Sequence, residues 1–137
     1  MKKQIYVVGA VIVSQGMVLG VQRGPNGSLP GMWEFPGGKI ESGETPQAAL
    51  IREIHEELRC DIAVGDEVAT TIHEYDFGVV HLTTFYCDLV SGTPQLVEHV
   101  DLVWSSPTDL RRLEWAPADI PAIGSIERQL GTSRPAG

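Results

Sequence analysis

The stretch that most constrains the fold of this chain is GGKIESGETPQAALIREIHEELRC, which runs from Gly37 to Cys60. Thr45 and Pro46 predict a helix start near Pro46, because a threonine side chain caps free backbone amides and proline at the first helical position loses no hydrogen bond. The apolar residues that follow recur at spacings of three and four, which places them on one stripe. We therefore predict a helix whose buried face consists of Ile51, Ile54 and Leu58, flanked by Leu50 and Ala48.

Three glutamates, Glu53, Glu56 and Glu57, are predicted to lie on the opposite side of this helix. Two carboxylates roughly 6 Å apart repel each other by about 3 kcal/mol at an effective dielectric constant of about 20. Arg52 can pair with Glu56 one turn later, but one arginine does not neutralise three acids. A divalent cation removes the repulsion, and an acidic, all-oxygen ligand set favours a hard ion such as Mg²⁺ or Mn²⁺ over zinc. From these residues alone, a solvated acidic helix face is the alternative interpretation.

The spacing of the surrounding residues resembles the Nudix box, a loop-helix-loop motif that contains Arg-Glu-apolar-x-Glu-Glu-x-Gly-apolar in its helical part. Arg59 stands where this motif has its last glycine. Because glycine suits a left-handed helix end, we expect arginine there to cost about 1 kcal/mol or to shift the end of the helix by a residue. The matching residues are Gly38, Glu44, Arg52, Glu53, Ile54, Glu56, Glu57 and Cys60.

Outside the box, the resemblance covers nearly the whole chain and is greatest to the MutT branch of the Nudix family, which includes bacterial CTP pyrophosphohydrolases. It is carried by Gln22 and Arg23, by WEFPGGK from Trp33 to Lys39, and by WAPADIP from Trp115 to Pro121. The resemblance implies an α/β fold, specifically an alpha/beta/alpha sandwich with a mixed central sheet. It also implies an enzyme that uses Mg²⁺, or Mn²⁺ in its place, to hydrolyse a nucleoside triphosphate.

The resemblance assigns expected roles around the metal. Magnesium acidifies water less than zinc does, so a carboxylate base remains useful, and Glu53 and Glu98 are both candidates. Glu44 is expected to orient Arg52 or a metal-bound water, which places both residues in the catalytic machinery. The expected metal ligands are the Gly37 carbonyl, Glu53, Glu56, Glu57 and Glu98.

Five residues are candidate nucleotide contacts: Arg23, Phe35, Lys39, Phe77 and Asp119. Arg23 and Lys39 are expected to face phosphates, although a solvated charge also explains Arg23. Phe35, and Phe77 together with its neighbour Tyr75, can wall a base pocket, although ordinary sheet packing also explains these aromatic residues. Asp119 is either the N-cap of the last helix or, by family resemblance, a base contact. A carboxylate accepts hydrogen bonds, so it suits the amino group of cytosine or the ring and amino hydrogens of guanine.

The rest of the chain predicts strands and two further helices, arranged as one domain over residues 1–131 with a flexible tail at residues 132–137. A short helix is expected after Ser106 and Pro107, and a last helix is expected to bury Ile123, Ile126 and Leu130. The strand over residues 79–90 has apolar residues on both faces and should lie inside the sheet. The other predicted strands cover residues 4–13, 17–22, 61–75 and 101–104, and a short strand with one apolar face is predicted over residues 32–35.

Composition limits the partners and the location of the chain. A formal charge of -8 and an isoelectric point near 4.8 argue against a polymeric nucleic acid, because phosphate backbones are held by basic surfaces. No apolar segment is long enough to cross a membrane. Cys60 and Cys87 lack the spacing of paired metal ligands, so we expect buried free thiols and a cytoplasmic location. A monomer or a homodimer is expected.

The sequence thus favours a nucleoside triphosphate pyrophosphohydrolase. Cytosine nucleotides such as CTP, dCTP or 5-methyl-dCTP are the first choice, because WAPADIP resembles the CTP pyrophosphohydrolase form of this segment. An enzyme that removes 8-oxo-dGTP is the alternative. A nucleotide-sensing domain and a metal-stabilised binding domain are the non-enzymatic alternatives, and the retention of Arg52, Glu53, Glu56 and Glu57 argues against the sensor.

Overall fold

A mixed sheet carries the fold, which a computed structural model describes for residues 2–131. The predicted tail at residues 132–137 lies outside the described residues. The helices are α1 (Pro46–Leu58) and α2 (Ile120–Ile126), and α2 continues into a π-helical turn at Glu127–Gly131, while short 3-10 turns cover Leu110–Arg112 and Pro117–Asp119. The strands are β1 (Gln4–Ser14), β2 (Met17–Gln22), β3 (Trp33–Glu34), β4 (Gly37–Lys39), β5 (Asp61–Tyr75), β6 (Gly78–Ser91) and β7 (Asp101–Ser105).

The strand order confirms the predicted interior strand and joins the first two predicted strands in a hairpin. β1 and β2 pair antiparallel, while β6 runs parallel to β1 and antiparallel to β5, so β6 lies between them. β4 pairs with the first half of β1, where Gly9 is opposite Gly37. The glycine turn of the Nudix-like segment is therefore fixed directly to the central strand of the sheet.

Two apolar clusters lie on the two faces of the sheet. Successive side chains of a strand point to opposite faces, and in β1 this alternation places Val8 with the cluster that contains α1 and Val11 with the cluster that contains α2. Each face of the sheet is thus covered by one helix. The predicted alpha/beta/alpha sandwich with a mixed sheet is confirmed.

The ends of α1 follow the sequence signals. The Thr45 hydroxyl oxygen accepts a hydrogen bond from the Ala48 amide at 3.1 Å, and Pro46 is the first helical residue. At the other end, Arg59 adopts the left-handed conformation, with φ 57° and ψ 35°. The arginine therefore takes the conformation that suits glycine, and the helix end is not shifted.

Two details of the helix predictions are wrong. α1 buries Ala49, Leu50, Ile54 and Leu58, whereas Ile51 is 42% exposed and Ala48 is also exposed. The helix is rotated by about one residue from the expected orientation, because the 50-54-58 row packs on the sheet and Ile51 lies beyond it. The helix expected after Ser106 and Pro107 is only a three-residue 3-10 turn, since the backbone becomes extended at Leu113.

The predictions about the cysteines and the last helix are confirmed. Cys60 and Cys87 are both buried and free. Ile123 and Ile126 are buried, and Leu130 packs against the same cluster. Among residues 2–131, no helix is long and apolar enough to cross a membrane.

Candidate active site

Two of the helix acids lie against the glycine turn rather than in solvent. Glu53 and Glu57 continue the row of Ala49 along α1, at successive spacings of four, so they border the buried stripe and contact β4. The prediction that all three glutamates lie opposite the apolar stripe is therefore wrong for these two. Only Glu56, whose side chain is 58% exposed, lies mainly in solvent.

Gly38 leaves the space that the Glu53 carboxylate occupies. A Cβ atom at residue 38 would lie 2.3 Å from Glu53 Cδ and 2.5 Å from its nearer oxygen. The other neighbour of this carboxylate is Arg52, whose Nη1 lies 3.0 Å from Oε2. Burial raises the pKa of Glu53 above its ordinary value, although Arg52 opposes this effect. The glycine of the motif is thus a requirement of side-chain packing at the site.

Glu57 lies deeper in the site. The Gly37 amide donates a hydrogen bond to its Oε1 at 3.2 Å. Burial, followed by repulsion from Glu53, Glu34 and Glu98, raises the pKa of Glu57 to about 8. Without a cation, this carboxyl group therefore retains a proton at neutral pH, because Glu57 is buried and three other acids lie nearby.

Arg52 is held by Glu44. This contact agrees with one of the two roles predicted for Glu44, which is to orient Arg52. Its Nε lies 2.7 Å from Glu44 Oε2 and its Nη2 lies 3.0 Å from Oε1, a two-point contact. Hydrogen bonding from Arg52 lowers the pKa of Glu44 to about 2. Arg52 also donates to the Lys39 carbonyl at 3.1 Å and to Glu56 Oε1 at 3.2 Å. One guanidinium group thus connects the helix, the acidic loop and the end of β4.

Glu98 extends the acidic region from the other side. It lines a polar cavity of about 260 Å³ together with Glu57, Glu34 and His99. Within residues 2–131, no three acidic, histidine or cysteine side chains are already gathered as a metal site. The residues nevertheless fit a hard divalent cation, because Glu57 is repelled by Glu53, Glu34 and Glu98 and carboxylate oxygens are the ligands that such ions prefer. The predicted contribution of the Gly37 carbonyl stays a prediction, since the contact seen from Gly37 to an acid is through its amide.

All five predicted nucleotide contacts line one cavity of about 380 Å³, which also contains Glu57 and Gly37. Arg23 is partly engaged already: it donates to Glu34 Oε1 at 2.9 Å and to the Ser28 carbonyl at 2.9 Å. Phe35 is buried against Trp115, with ring centroids 4.7 Å apart. Phe77 is 46% exposed. The structure therefore brings the predicted base-side residues and Glu57, one acid of α1, to one opening.

Asp119 reaches this cavity through a contact that is distant in sequence. β3 forms a bridge from Trp33 to Trp115, which carries the following turn beside Phe35. Oδ1 of Asp119 then accepts a hydrogen bond from the Phe35 amide at 3.1 Å, and its side chain makes no capping hydrogen bond to α2. Asp119 therefore occupies the N-cap position of α2, but its side chain does not cap the helix. Burial, followed by repulsion from Glu34, raises the pKa of Asp119 to about 8, so the carboxyl group is mainly protonated at neutral pH.

Sequence reasoning missed Glu34 and His99. The Glu34 carboxylate is held at one oxygen by Arg23 and at the other by His99 Nε2, at 2.9 Å in both cases. It adds negative charge near both Glu57 and Asp119. Its position between Trp33 and Phe35 resembles the solvent-facing position of a two-sided strand. Only the register of β3 against β2 could have placed it beside Arg23.

The NUDIX domain family model matches residues 7–124 of the chain. The chain belongs to the Nudix family. An Escherichia coli K12 protein named CTP pyrophosphohydrolase is 40% identical over 134 residues, which cover 98% of each chain. The 8-oxo-dGTP diphosphatase of the same strain is 30% identical, over 93% of this chain and 99% of that protein. The solution structure of MutT, a Nudix hydrolase from Staphylococcus aureus, is 56% identical, with a TM-score of 0.78 over 94% of this chain and 99% of the other.

These relatives confirm the predicted family and the predicted fold. The Nudix match extends from β1 into α2, so it includes the glycine turn, α1 and the segment that carries Asp119.

Proposed function

We propose that this chain uses Mg²⁺ to hydrolyse a nucleoside triphosphate to the monophosphate and pyrophosphate, with a preference for cytosine. One observation carries the proposal: Glu57 of α1 lines the same cavity as the base-side residues Phe35, Phe77 and Asp119. A nucleotide joins an apolar ring to a polyphosphate, so its site needs both kinds of surface within the length of one molecule.

The enzyme class follows from the family and its named members. The chain is a Nudix nucleoside triphosphate pyrophosphohydrolase, since it matches the family over most of its length and is 40% identical to a CTP pyrophosphohydrolase. The non-enzymatic alternatives considered from sequence have no comparable support.

The proposed cation ligands are Glu53, Glu56, Glu57, Glu98 and the Gly37 carbonyl. A bound Mg²⁺ or Mn²⁺ ion would neutralise phosphate charge and activate water for attack. Glu57 would release its proton when the ion binds, because its pKa of about 8 reflects burial among acids. Arg52, fixed by two hydrogen bonds to Glu44, would keep Glu53 oriented toward the β4 glycines.

Glu53 and Glu98 remain the candidates for the base that accepts a proton from the attacking water. Glu53 has a pKa raised by burial, which makes it a stronger base at neutral pH. Glu98 is exposed and lines the polar cavity. Parallel Glu53→Gln and Glu98→Gln variants separate the two: the base should be the residue whose amide abolishes turnover, by at least about 100-fold, while nucleotide binding persists.

Asp119 supports the cytosine preference through its protonation state. A neutral carboxyl group offers one donor and one acceptor, which matches the ring nitrogen and the amino group of cytosine. The ionised group would instead suit the ring and amino hydrogens of guanine. The 8-oxo-dGTP diphosphatase relative makes oxidised guanine the second candidate base.

Substrate comparison tests the proposal. Pyrophosphate release should be measured with dCTP, 5-methyl-dCTP and 8-oxo-dGTP in the presence of Mg²⁺, and mass spectrometry in oxygen-18 water would identify the phosphorus that is attacked. We expect the highest kcat/KM for a cytosine nucleotide. Equal rates on all bases would contradict base reading by Asp119, and absence of hydrolysis would contradict the function. The cytoplasmic location and the choice between monomer and homodimer stay predictions.

A further inference from the structure

The Tyr75 hydroxyl group lies at the base side of the cavity, next to the turn that carries Asp119. Tyr75 ends β5 and lines the 380 Å³ cavity. Its ring stacks nearly parallel on Phe77, with centroids 4.9 Å apart and an interplanar angle of 8°. Its hydroxyl oxygen accepts a hydrogen bond from the Ala118 amide at 2.8 Å. The turn that holds Tyr75 is therefore the same turn that carries Asp119.

The hydroxyl group still has a proton to donate. A tyrosine hydroxyl group has one donor and two acceptor positions, and burial raises the pKa of Tyr75, so it stays protonated at neutral pH. Within residues 2–131, the hydroxyl group accepts a hydrogen bond from the Ala118 amide, and its own O–H is not donated to any protein group. A carbonyl group of a bound base could accept that hydrogen bond.

Tyr75 and Asp119 together complement three adjacent groups on a base. Asp119 Oδ1 accepts one hydrogen bond from the Phe35 amide and keeps a second lone pair for the amino group of a base, while the protonated Oδ2 can donate to the ring nitrogen. Cytosine presents an amino group, a ring nitrogen and a carbonyl in a row. Adenine presents the same amino group and ring nitrogen, but it has a C–H group where cytosine has the carbonyl. A donor beside Asp119 therefore separates two bases that a neutral carboxyl group alone would treat alike.

We infer that Tyr75 contributes to base specificity by donating a hydrogen bond from its hydroxyl group to a carbonyl oxygen of the base. Adenine has no such carbonyl group and is therefore disfavoured. The inference rests on the proposed function and adds a second recognition group to it. Guanine and its 8-oxo form also carry a carbonyl next to a ring nitrogen, so Tyr75 would serve these substrates as well. The contribution of Tyr75 is thus the requirement for a carbonyl, whereas Asp119 reads the neighbouring groups.

The test compares dCTP with dATP in Tyr75→Phe. Phenylalanine keeps the ring that stacks on Phe77 and removes only the hydroxyl group. We expect kcat/KM for dCTP to fall roughly 5- to 10-fold, mainly through KM, as for loss of one neutral hydrogen bond, while kcat/KM for dATP changes by less than about twofold. Tyr86→Phe is the matched control, because Tyr86 packs beside α2 and its hydroxyl group bonds to Gln129 outside the cavity. It should leave the dCTP to dATP ratio at the wild-type value.

A purely structural role for Tyr75 gives a different result. If its hydroxyl group only holds the Ala118 amide, then kcat/KM should fall by the same factor for dCTP and for dATP, which would overturn the inference. The inference would also be overturned if kcat/KM changed for neither nucleotide. A wild-type protein that releases no pyrophosphate from dCTP or 8-oxo-dGTP would instead contradict the proposed function, so the two failures are distinguishable.

A change in the substrate gives a measurement that needs no variant to fold. Replacing the 2-carbonyl oxygen of CTP by sulfur weakens the acceptor and leaves the amino group and the ring nitrogen in place. We expect the wild-type protein to bind 2-thio-CTP several-fold more weakly than CTP, and Tyr75→Phe, where it is folded, to bind the two about equally. Equal KM values for the two nucleotides in the wild-type protein would refute donation from Tyr75.

Discussion

Substitution of Gly38 by alanine tests whether the position of the Glu53 carboxylate governs turnover. The added Cβ atom would lie 2.3 Å from Glu53 Cδ. Ordinary contacts between carbon atoms are about 3.5 to 4.0 Å long, so the carboxylate must retreat by more than about 1 Å. A displacement of about 1 Å at a reacting group can cost about 100-fold in rate. We therefore expect kcat of Gly38→Ala to fall by about that factor.

The stability of the same variant should change little. The atoms that must move are the end of a flexible side chain, and the contact most at risk is the Arg52–Glu53 ion pair at 3.0 Å, whose side chains are 25% and 17% exposed. Loss of such a pair costs about 1 kcal/mol or less. Steady-state pyrophosphate release and urea unfolding measure the two effects separately.

Two other glycines provide controls for Gly38→Ala. At Gly37, a Cβ atom would lie 1.9 Å from the Val8 carbonyl oxygen, so β4 must separate from β1, and we expect destabilisation by about 3 kcal/mol. At Gly124 in α2, a Cβ atom would meet only the ends of arginine side chains at 3.4 and 3.8 Å, so Gly124→Ala should keep both stability and turnover. Wild-type kcat in a folded Gly38→Ala protein would refute the idea that this glycine positions the catalytic carboxylate.

Three further predictions concern the arginines and the buried acid. Arg52→Lys should lower kcat roughly 10-fold or more, because lysine does not reproduce the two-point contact with Glu44. Arg111 is exposed, so the control variant Arg111→Lys should have wild-type kinetics. Equal kinetics in the two variants would contradict the orienting role of Arg52. Arg59→Gly should raise the free energy of unfolding by about 1 kcal/mol in urea titrations, since Arg59 has φ 57°, and a loss of stability would show that the arginine is not strained. Without metal, the pKa of the Glu57 carboxyl group is about 8 in the folded protein, against 4.5 when the group is exposed. Its contribution to the free energy of unfolding is therefore fully present below about pH 4.5 and is lost as the pH rises through about 8. Thermal melting in EDTA between pH 5 and 9 should show this loss, and saturating Mg²⁺ should reduce it. If a Glu57→Gln protein had the same pH dependence, then Glu57 would not be its cause.

Local sequence signals predicted α1 and its ends well. Capping by Thr45 and the proline start are properties of neighbouring residues, so they needed no knowledge of the fold. The orientation of the helix was predicted less well, because Ile51 and Ala49 both fit an apolar periodicity and only the sheet decides which one is buried. The long motif compensated for this uncertainty, since its spacing constrains the glycine turn and the helix together.

The residues that join distant parts of the chain were predicted incompletely. Asp119 was named from family resemblance, but its contact with the Phe35 amide depends on the bridge between Trp33 and Trp115. Glu34 was missed for the same reason, since its partners Arg23 and His99 come from other segments. No local pattern carries such pairings.

The sequence by itself determined which chemical groups this protein has available: an acidic helix, a turn of two glycines, and a set of aromatic and charged residues that resemble one family. Tertiary structure alone decided the environment of those groups. Burial among other acids gives Glu57 and Asp119 pKa values of about 8, and the Ala118 amide holds the Tyr75 hydroxyl at the cavity. The physical reason is that solvation and electrostatic repulsion depend on the distances between segments, and those distances are set only when the sheet and both helices pack together.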